Sequence, residues 1–264
     1  MNAIHVDDFC YQWQGKKQRD LGVDESNLLL PINITNNQSK RALLLLHGFG
    51  SSPAVYRALI PMLTGYDGII CPTLPGHAVN YQDFANVHSI EWIKAVETTC
   101  DELLKTYESV DVLGLSLGGL LALHLAKTRP IGHLYLLAPA LALRINIPWT
   151  LACAKIFQLL GIKNITNRGG NIRSQKYSEL TYKKLPVTTI IEILHFIKTF
   201  TYKTPNCPTD VFLGSHDTIV DNNAVCRKIG NTTQIKLHWL EHSAHILPLD
   251  QDLTTIIELI CHRL

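Results

Sequence analysis

Three stretches of this 264-residue chain have the residue types and spacing for nucleophilic acyl chemistry. The first is Gly114-Leu115-Ser116-Leu117-Gly118, a serine between two glycines. A serine hydroxyl attacks a carbonyl only when a base takes its proton, and that base needs a carboxylate to fix its tautomer and stabilise its cation. Ser215-His216-Asp217-Thr218-Ile219-Val220-Asp221 and Glu241-His242-Ser243-Ala244-His245 supply candidates for both, later in the chain. Within them Asp217 is preferred as the acid, because Asp221 reads as a helix cap. His245 is preferred over His242 as the base, because it lies deeper in its loop and precedes the apolar anchor Ile246-Leu247-Pro248. The developing oxyanion needs two backbone N–H groups aimed at it. Leu117, directly after the serine, and Phe49, in the glycine-rich His47-Gly48-Phe49-Gly50 loop, are the candidates.

Other histidines read as structural. His47 orders the loop that carries Phe49, His77 gets a similar reading, His238 falls inside a strand, and His216 stands beside the acid without a role of its own.

These groups act together only if the fold brings them to one edge. Val110 to Leu115 is short, apolar and branched, as a parallel strand covered on both faces should be, and Leu117 onward continues at helical length. Ser116 thus falls in a sharp strand-to-helix turn, the context that makes Gly-x-Ser-x-Gly informative. Arg41 to Leu46 is a second buried strand, followed by the glycine-rich loop and a helix opened by Pro53 and running to about Leu63. Further strands are expected at 68–72, 132–139, 208–214 and 234–240. Helices are expected from Ile90 to Tyr107 with Ser89 as cap, over 187–202, over 221–229 and over 250–264. Alternating strands and helices predict a mostly parallel sheet with helices on both faces. The rhythm stops from Leu141 to about Pro186, where no sheet strand is evident; this reads as a small, mainly helical lid insertion over the carboxyl ends of the strands. Residues 1 to about 40 are polar and irregular, with room for an edge strand over 27–34.

Composition bounds the rest. The length suits a single domain, 1–264, with the insertion at about 141–186. A formal net charge of +2 points to neither nucleic acid nor an anionic surface. Seven scattered cysteines lack metal-ligand or redox spacing and read as reduced thiols of a cytoplasmic protein. Met1 to Asp8 lack a basic segment followed by an apolar core, so no secretory signal is expected, and without an apolar run of membrane-spanning length no stable membrane insertion is expected.

Taken together, these motifs resemble the α/β-hydrolase superfamily, and most of all its small bacterial carboxylesterases and monoacylglycerol-lipase-like serine hydrolases. Leu43-Leu44-Leu45-Leu46-His47-Gly48-Phe49-Gly50, Pro75-Gly76-His77, Gly114-Leu115-Ser116-Leu117-Gly118-Gly119, His216-Asp217 and Ser243-Ala244-His245 carry the resemblance, in the superfamily's order. It implies Ser116 as nucleophile, His245 as base, Asp217 as orienting acid, and Phe49 and Leu117 as oxyanion donors. The activity expected is hydrolysis of short- to medium-chain acyl esters, monoacylglycerols among them, through an acyl-enzyme. The partner is then a small-molecule ester, and no metal or organic cofactor is needed. A thioesterase, amidase or peptidase on the same three residues is the second reading. A protein that binds a hydrophobic ligand without turnover is the third. The sequence leaves the oligomeric state open.

Overall fold

Apolar runs without polar alternation are what a sheet covered on both faces requires, and the chain builds one. In the computed structural model, which describes residues 4–263, the elements begin with β1 (Phe9–Trp13), β2 (Lys16–Asp20), β3 (Ile32–Thr35), β4 (Arg41–Leu46) and β5 (Gly68–Cys71). Next come α1 (Tyr81–Asn86), α2 (Ser89–Thr106), β6 (Ser109–Leu115), α3 (Leu117–Thr128) and β7 (Leu134–Leu137). An insertion follows, with α4 (Ile147–Leu159), β8 (Asn164–Thr166), β9 (Glu179–Tyr182) and β10 (Lys184–Pro186), and α5 (Val187–Thr199) leads out of it. The chain closes with β11 (Thr209–Gly214), α6 (Asn222–Ile229), β12 (Ile235–Leu240) and α7 (Leu253–Cys261).

The main sheet has seven strands in the order β12-β11-β7-β6-β4-β5-β3, all parallel except the edge strand β3, which runs antiparallel to β5. Successive side chains of a strand point to opposite faces. Ala42, Leu44 and Leu46 accordingly join Trp92, Val96 and Leu120 on one side, while Leu43 and Leu45 join Tyr56, Leu247 and Ile256 on the other. Both faces bury apolar side chains, so the four consecutive leucines of β4 serve two cores.

The structure departs from the sequence expectation in five places. The helix expected from Pro53 to Leu63 is instead two 3-10 turns, Pro53–Tyr56 and Ile60–Met62. Pro61 has no N–H to continue a helix and its ring crowds the preceding turn. Helix α2 is capped by His88 and not Ser89, with the His88 N–H donating to Glu91 Oε1 at 2.9 Å. Ser89 instead spends its N–H and hydroxyl on Glu192 Oε1 of α5. The last helix starts at Leu253, since the Asp250 carboxylate is committed to the N–H groups of Arg173, Ser174 and Ala244; Leu264 lies outside the described residues. The insertion, expected to be mainly helical, contains three short strands. Finally, residues 4–40 hold regular elements: β1 and β2 form a hairpin, β1 also pairs with β9, and the edge strand falls at 32–35.

Candidate active site

Ser116 sits between β6 and α3 with φ 54° and ψ −109°, outside the regions that non-glycine residues favour. Such a conformation costs on the order of 1–3 kcal/mol and persists only where the surroundings over-determine it. They do so here. The Ser116 N–H donates to Leu137 O at 2.9 Å, and its carbonyl accepts from the N–H groups of Gly119, Leu120 and Ala140 at 3.0, 3.3 and 3.1 Å. The two flanking glycines are required by close approach. A Cβ on Gly114 would overlap the Gly118 carbonyl, and one on Gly118 would overlap the Leu46 carbonyl. Leu117 is the first residue of α3, so its N–H has no acceptor within the helix and lies at the positive end of the helix dipole.

Asp217 and His245 follow the ends of β11 and β12, at the same carboxyl edge of the sheet as Ser116. His245 Nδ1 and Asp217 Oδ2 are 2.8 Å apart, and both residues are buried. Asp217 Oδ1 accepts from the Ile219 N–H at 2.7 Å and the Val220 N–H at 2.9 Å. Burial raises the carboxyl's affinity for a proton, but the His245 charge and hydrogen bond and those two N–H groups together hold its pKa below the ordinary value. For His245 burial disfavours the cation, yet the Asp217 charge and hydrogen bond, with a smaller part from Glu179, bring its pKa above the ordinary imidazole value. His242 and His216 are exposed, and Asp221 caps α6 through the Ala224 N–H, as expected. His238 lies on β12, where its Nε2 is 2.6 Å from Asp210 Oδ1, in a cluster with His133 and Arg263 away from the carboxyl edge.

The loop after β4 lies against the elbow, where a Cβ on Gly48 would sit 3.6 Å from Ser116 Cβ. His47 orders it. Its Nε2 accepts from the Leu74 N–H at 3.0 Å, which leaves the proton on Nδ1 for the Gly48 carbonyl, also at 3.0 Å. Burial pushes its pKa down to about 4, so this arrangement is neutral across the working range. His77 is likewise buried and packs edge-on against His47, Phe49 and Trp92, with its pKa pushed down to about 3 by burial and by His47. Phe49 is thereby fixed by rings on several sides, and its residue lines the same cavity as Ser116 and His245.

Two residues of the insertion also belong to the site, although sequence reasoning passed over them. The Asn171 carbonyl accepts from the N–H groups of His245 and Ile246, and its side-chain Oδ1 accepts from those of Thr218 and His245, all at 3.0–3.1 Å. One side chain thus ties the loop after β11 to the loop after β12. The N-terminal hairpin holds this segment in turn: the N–H groups of Gln14 and Gly15 donate to Gly170 O and Gly169 O, and Gln12 Nε2 donates to Asn167 O. Asn171→Ala is expected to lower kcat about tenfold to a hundredfold on a soluble ester, with KM little changed. Wild-type kcat in that variant, measured beside its melting temperature, would remove Asn171 from the positioning of His245. The second residue is Glu179 on β9, buried in the cavity wall with Oε2 accepting from the Gly170 N–H at 2.6 Å. Burial pushes its pKa up, opposed by that N–H and by the charges of His245 and Arg57. Nothing in its neighbourhood flagged it, because Ser178-Glu179-Leu180 is an ordinary half-polar run.

The cavity at the carboxyl edge encloses about 340 Å³. Its floor is Ser116, Phe49 and His245, and its upper wall comes from Ile145, Ile165 and Leu185 of the insertion and Ile193 of α5. Among the described residues no cluster of three or more His, Cys, Asp or Glu is arranged to hold a metal ion.

Residues 43–255 match the alpha/beta hydrolase family. The chain is 26% identical over 220 residues to a thermostable monoacylglycerol lipase of a Bacillus species, covering 81% of this chain and 86% of the relative. It is also 26% identical over 234 residues to a carboxylesterase of Bacillus subtilis, covering 85% and 92%. The fold superposes on that of a metagenome-derived lipolytic enzyme with a TM-score of 0.75 at 23% identity, over 89% of this chain and 96% of the other. The family match begins within β4 and takes in the turn at Ser116 and the loops after β11 and β12; the chain belongs to the alpha/beta hydrolase family.

Proposed function

We propose that the protein is a carboxylic ester hydrolase acting on short- to medium-chain acyl esters, with a monoacylglycerol-like ester as its substrate. The hydrogen bond between Asp217 and His245, with His245 in the wall of a cavity that the strained Ser116 also lines, carries this reading. In it His245 Nε2 takes the Ser116 proton as the hydroxyl attacks the carbonyl, and the N–H groups of Phe49 and Leu117 bind the oxyanion. The alcohol leaves with that proton, and water, activated by the same imidazole, releases the acid. A volume of about 340 Å³ lies at the small end of ligand cavities, roughly 300–1,000 Å³, which suits a short acyl chain. The apolar wall fits the acyl part, while the Glu179 carboxylate offers an acceptor for hydroxyls on the alcohol part. The insertion over 141–186 serves as the lid of a single domain. A cytoplasmic setting accords with the seven free thiols, and no helix of the described residues is long and apolar enough to cross a membrane.

The test compares nitrophenyl acyl esters of increasing chain length with 1-monoacylglycerols and matched thioesters and anilides. Ester turnover with a short- to medium-chain optimum is the expected result. Glu179→Gln should raise KM for the monoacylglycerol several-fold and leave that for the nitrophenyl ester near wild type. Cleavage of the thioester or anilide alone would replace the ester reading. Tight binding of an ester without turnover would replace catalysis with ligand carriage.

A further inference from the structure

The outer face of α4 is apolar where a solvated helix is polar. Trp149, Ile156 and Leu160 follow one another at i, i+7 and i+11, on the side opposite the buried Leu151 and Ala154. Phe157, Leu159 and Ile162 widen the stripe, and Trp149 and Leu159 are 69% and 87% exposed. Among the described residues, half of the large apolar side chains that stand exposed fall between positions 145 and 165. A contiguous patch of this kind marks an interaction surface. Ile145 and Ile165 belong both to the patch and to the cavity wall, so the apolar surface runs from the outer face of the insertion to the mouth above Ser116.

Charge identifies what this surface meets. Residues 141–178 contain Arg144, Lys155, Lys163, Arg168, Arg173 and Lys176 and neither Asp nor Glu. With the whole chain at +2 and this segment at +6, the remainder carries −4. The near-neutral total thus averages over a polarised molecule, which is why composition gave no sign of an anionic surface. Lys155 and Lys163 are exposed beside the apolar stripe, and Lys184 is exposed on β10 in register with Thr166 of β8. None of the three has an acidic partner among the described residues.

We propose that the outer face of α4 and the turn that follows it dock the protein onto an anionic lipid surface, with the cavity mouth turned toward the acyl chains. Apolar side chains, a tryptophan and flanking lysines are the combination by which a helix lies in an interface without crossing it. The proposal stands on this surface and not on the ester reading, so binding is measured with the Ser116→Ala chain, which turns over no lipid.

The experiment is cosedimentation with phosphatidylcholine vesicles, with and without phosphatidylglycerol, at low and high salt. Binding should be at least about tenfold tighter to the anionic vesicles at low salt and should weaken as salt screens the lysines. Neutralising two lysines, Lys155→Gln with Lys163→Gln, should weaken it about thirtyfold, at about fivefold for each charge near an anionic surface. Leu159→Ser with Leu160→Ser should remove binding while turnover of a soluble ester in the Ser116 background stays unchanged, which shows that the fold is intact. Equal affinity for neutral and anionic vesicles, or binding that survives both pairs of substitutions, would overturn the proposal. So would self-association of the wild type that disappears with the leucine substitutions, since that assigns the face to a second copy of the chain.

Discussion

Ser116→Ala is expected to lower turnover of a nitrophenyl ester by roughly five to six orders of magnitude while the protein stays folded. The size of the effect follows from what the hydroxyl does. In the proposed mechanism it forms the only covalent bond to the acyl group, so its loss leaves His245, the oxyanion N–H groups and the cavity with nothing to deliver. Those groups retain binding and some stabilisation of attack by water, a residual of roughly 10³–10⁴ over the uncatalysed rate. The fold should tolerate the change, because alanine keeps the Cβ and the hydrogen bonds that hold the elbow are all backbone: Ser116 N–H to Leu137 O, and its carbonyl to the N–H groups of Gly119, Leu120 and Ala140. Strain at φ 54° is the same for either residue. Melting temperature and ester turnover, measured on the same preparation, check both halves. Substantial activity in the variant would mean that a different group attacks, and the three-residue assignment would fall with it.

What the sequence displayed and what it concealed divide along local and non-local lines. The elbow is a local signal: a buried strand, two glycines forced by close approach, and a helix that begins at the next residue are all within fifteen positions. The positions of Asp217 and His245 also follow locally, as the first loops after β11 and β12, and the buried His245 against the exposed His242 reflects its apolar anchor Ile246-Leu247. The N-terminal hairpin lacked any such signal. Lys16–Asp20 is exposed throughout, so β2 has no alternation of burial to read, and β1 is defined by pairing with β9, some 170 residues later. Asn171 and Glu179 depend on that pairing for their places. They sit in a segment whose own pattern is polar and turn-rich, and non-local contacts, among them the register Gln12↔Glu179, the hydrogen bonds from Gln14 and Gly15 and those to Asp250, bring it over the edge of the main sheet. The lipid-facing stripe failed to stand out for another reason: an apolar helix reads as buried, and nothing in the sequence says which of its faces is covered.

The second large effect is expected from Asp217→Asn, and hydrogen bonds around the carboxylate predict its cause. Asp217 Oδ1 is held by two donors, the N–H groups of Ile219 and Val220, while Oδ2 faces His245 Nδ1. An asparagine must keep an oxygen toward the two N–H groups, because an NH₂ there would set donor against donor in a buried site. Its NH₂ then faces His245, so Nδ1 must accept and the proton moves to Nε2. The imidazole is left with no lone pair toward Ser116, and turnover should fall by about 10⁴ although the ring hardly moves. The pH profile separates this from simple loss of a contact. In the wild type His245 must be neutral to act as a base, and with its pKa held above the ordinary imidazole value by Asp217, kcat/KM should be complete at alkaline pH and fall as pH drops through that raised value. In Asp217→Asn the charge that favours the cation is gone, so whatever activity remains should persist to lower pH than in the wild type. An unshifted acid limb with full activity would show that Asp217 neither orients His245 nor sets its charge, and would pass the role of acid to another carboxylate at that edge.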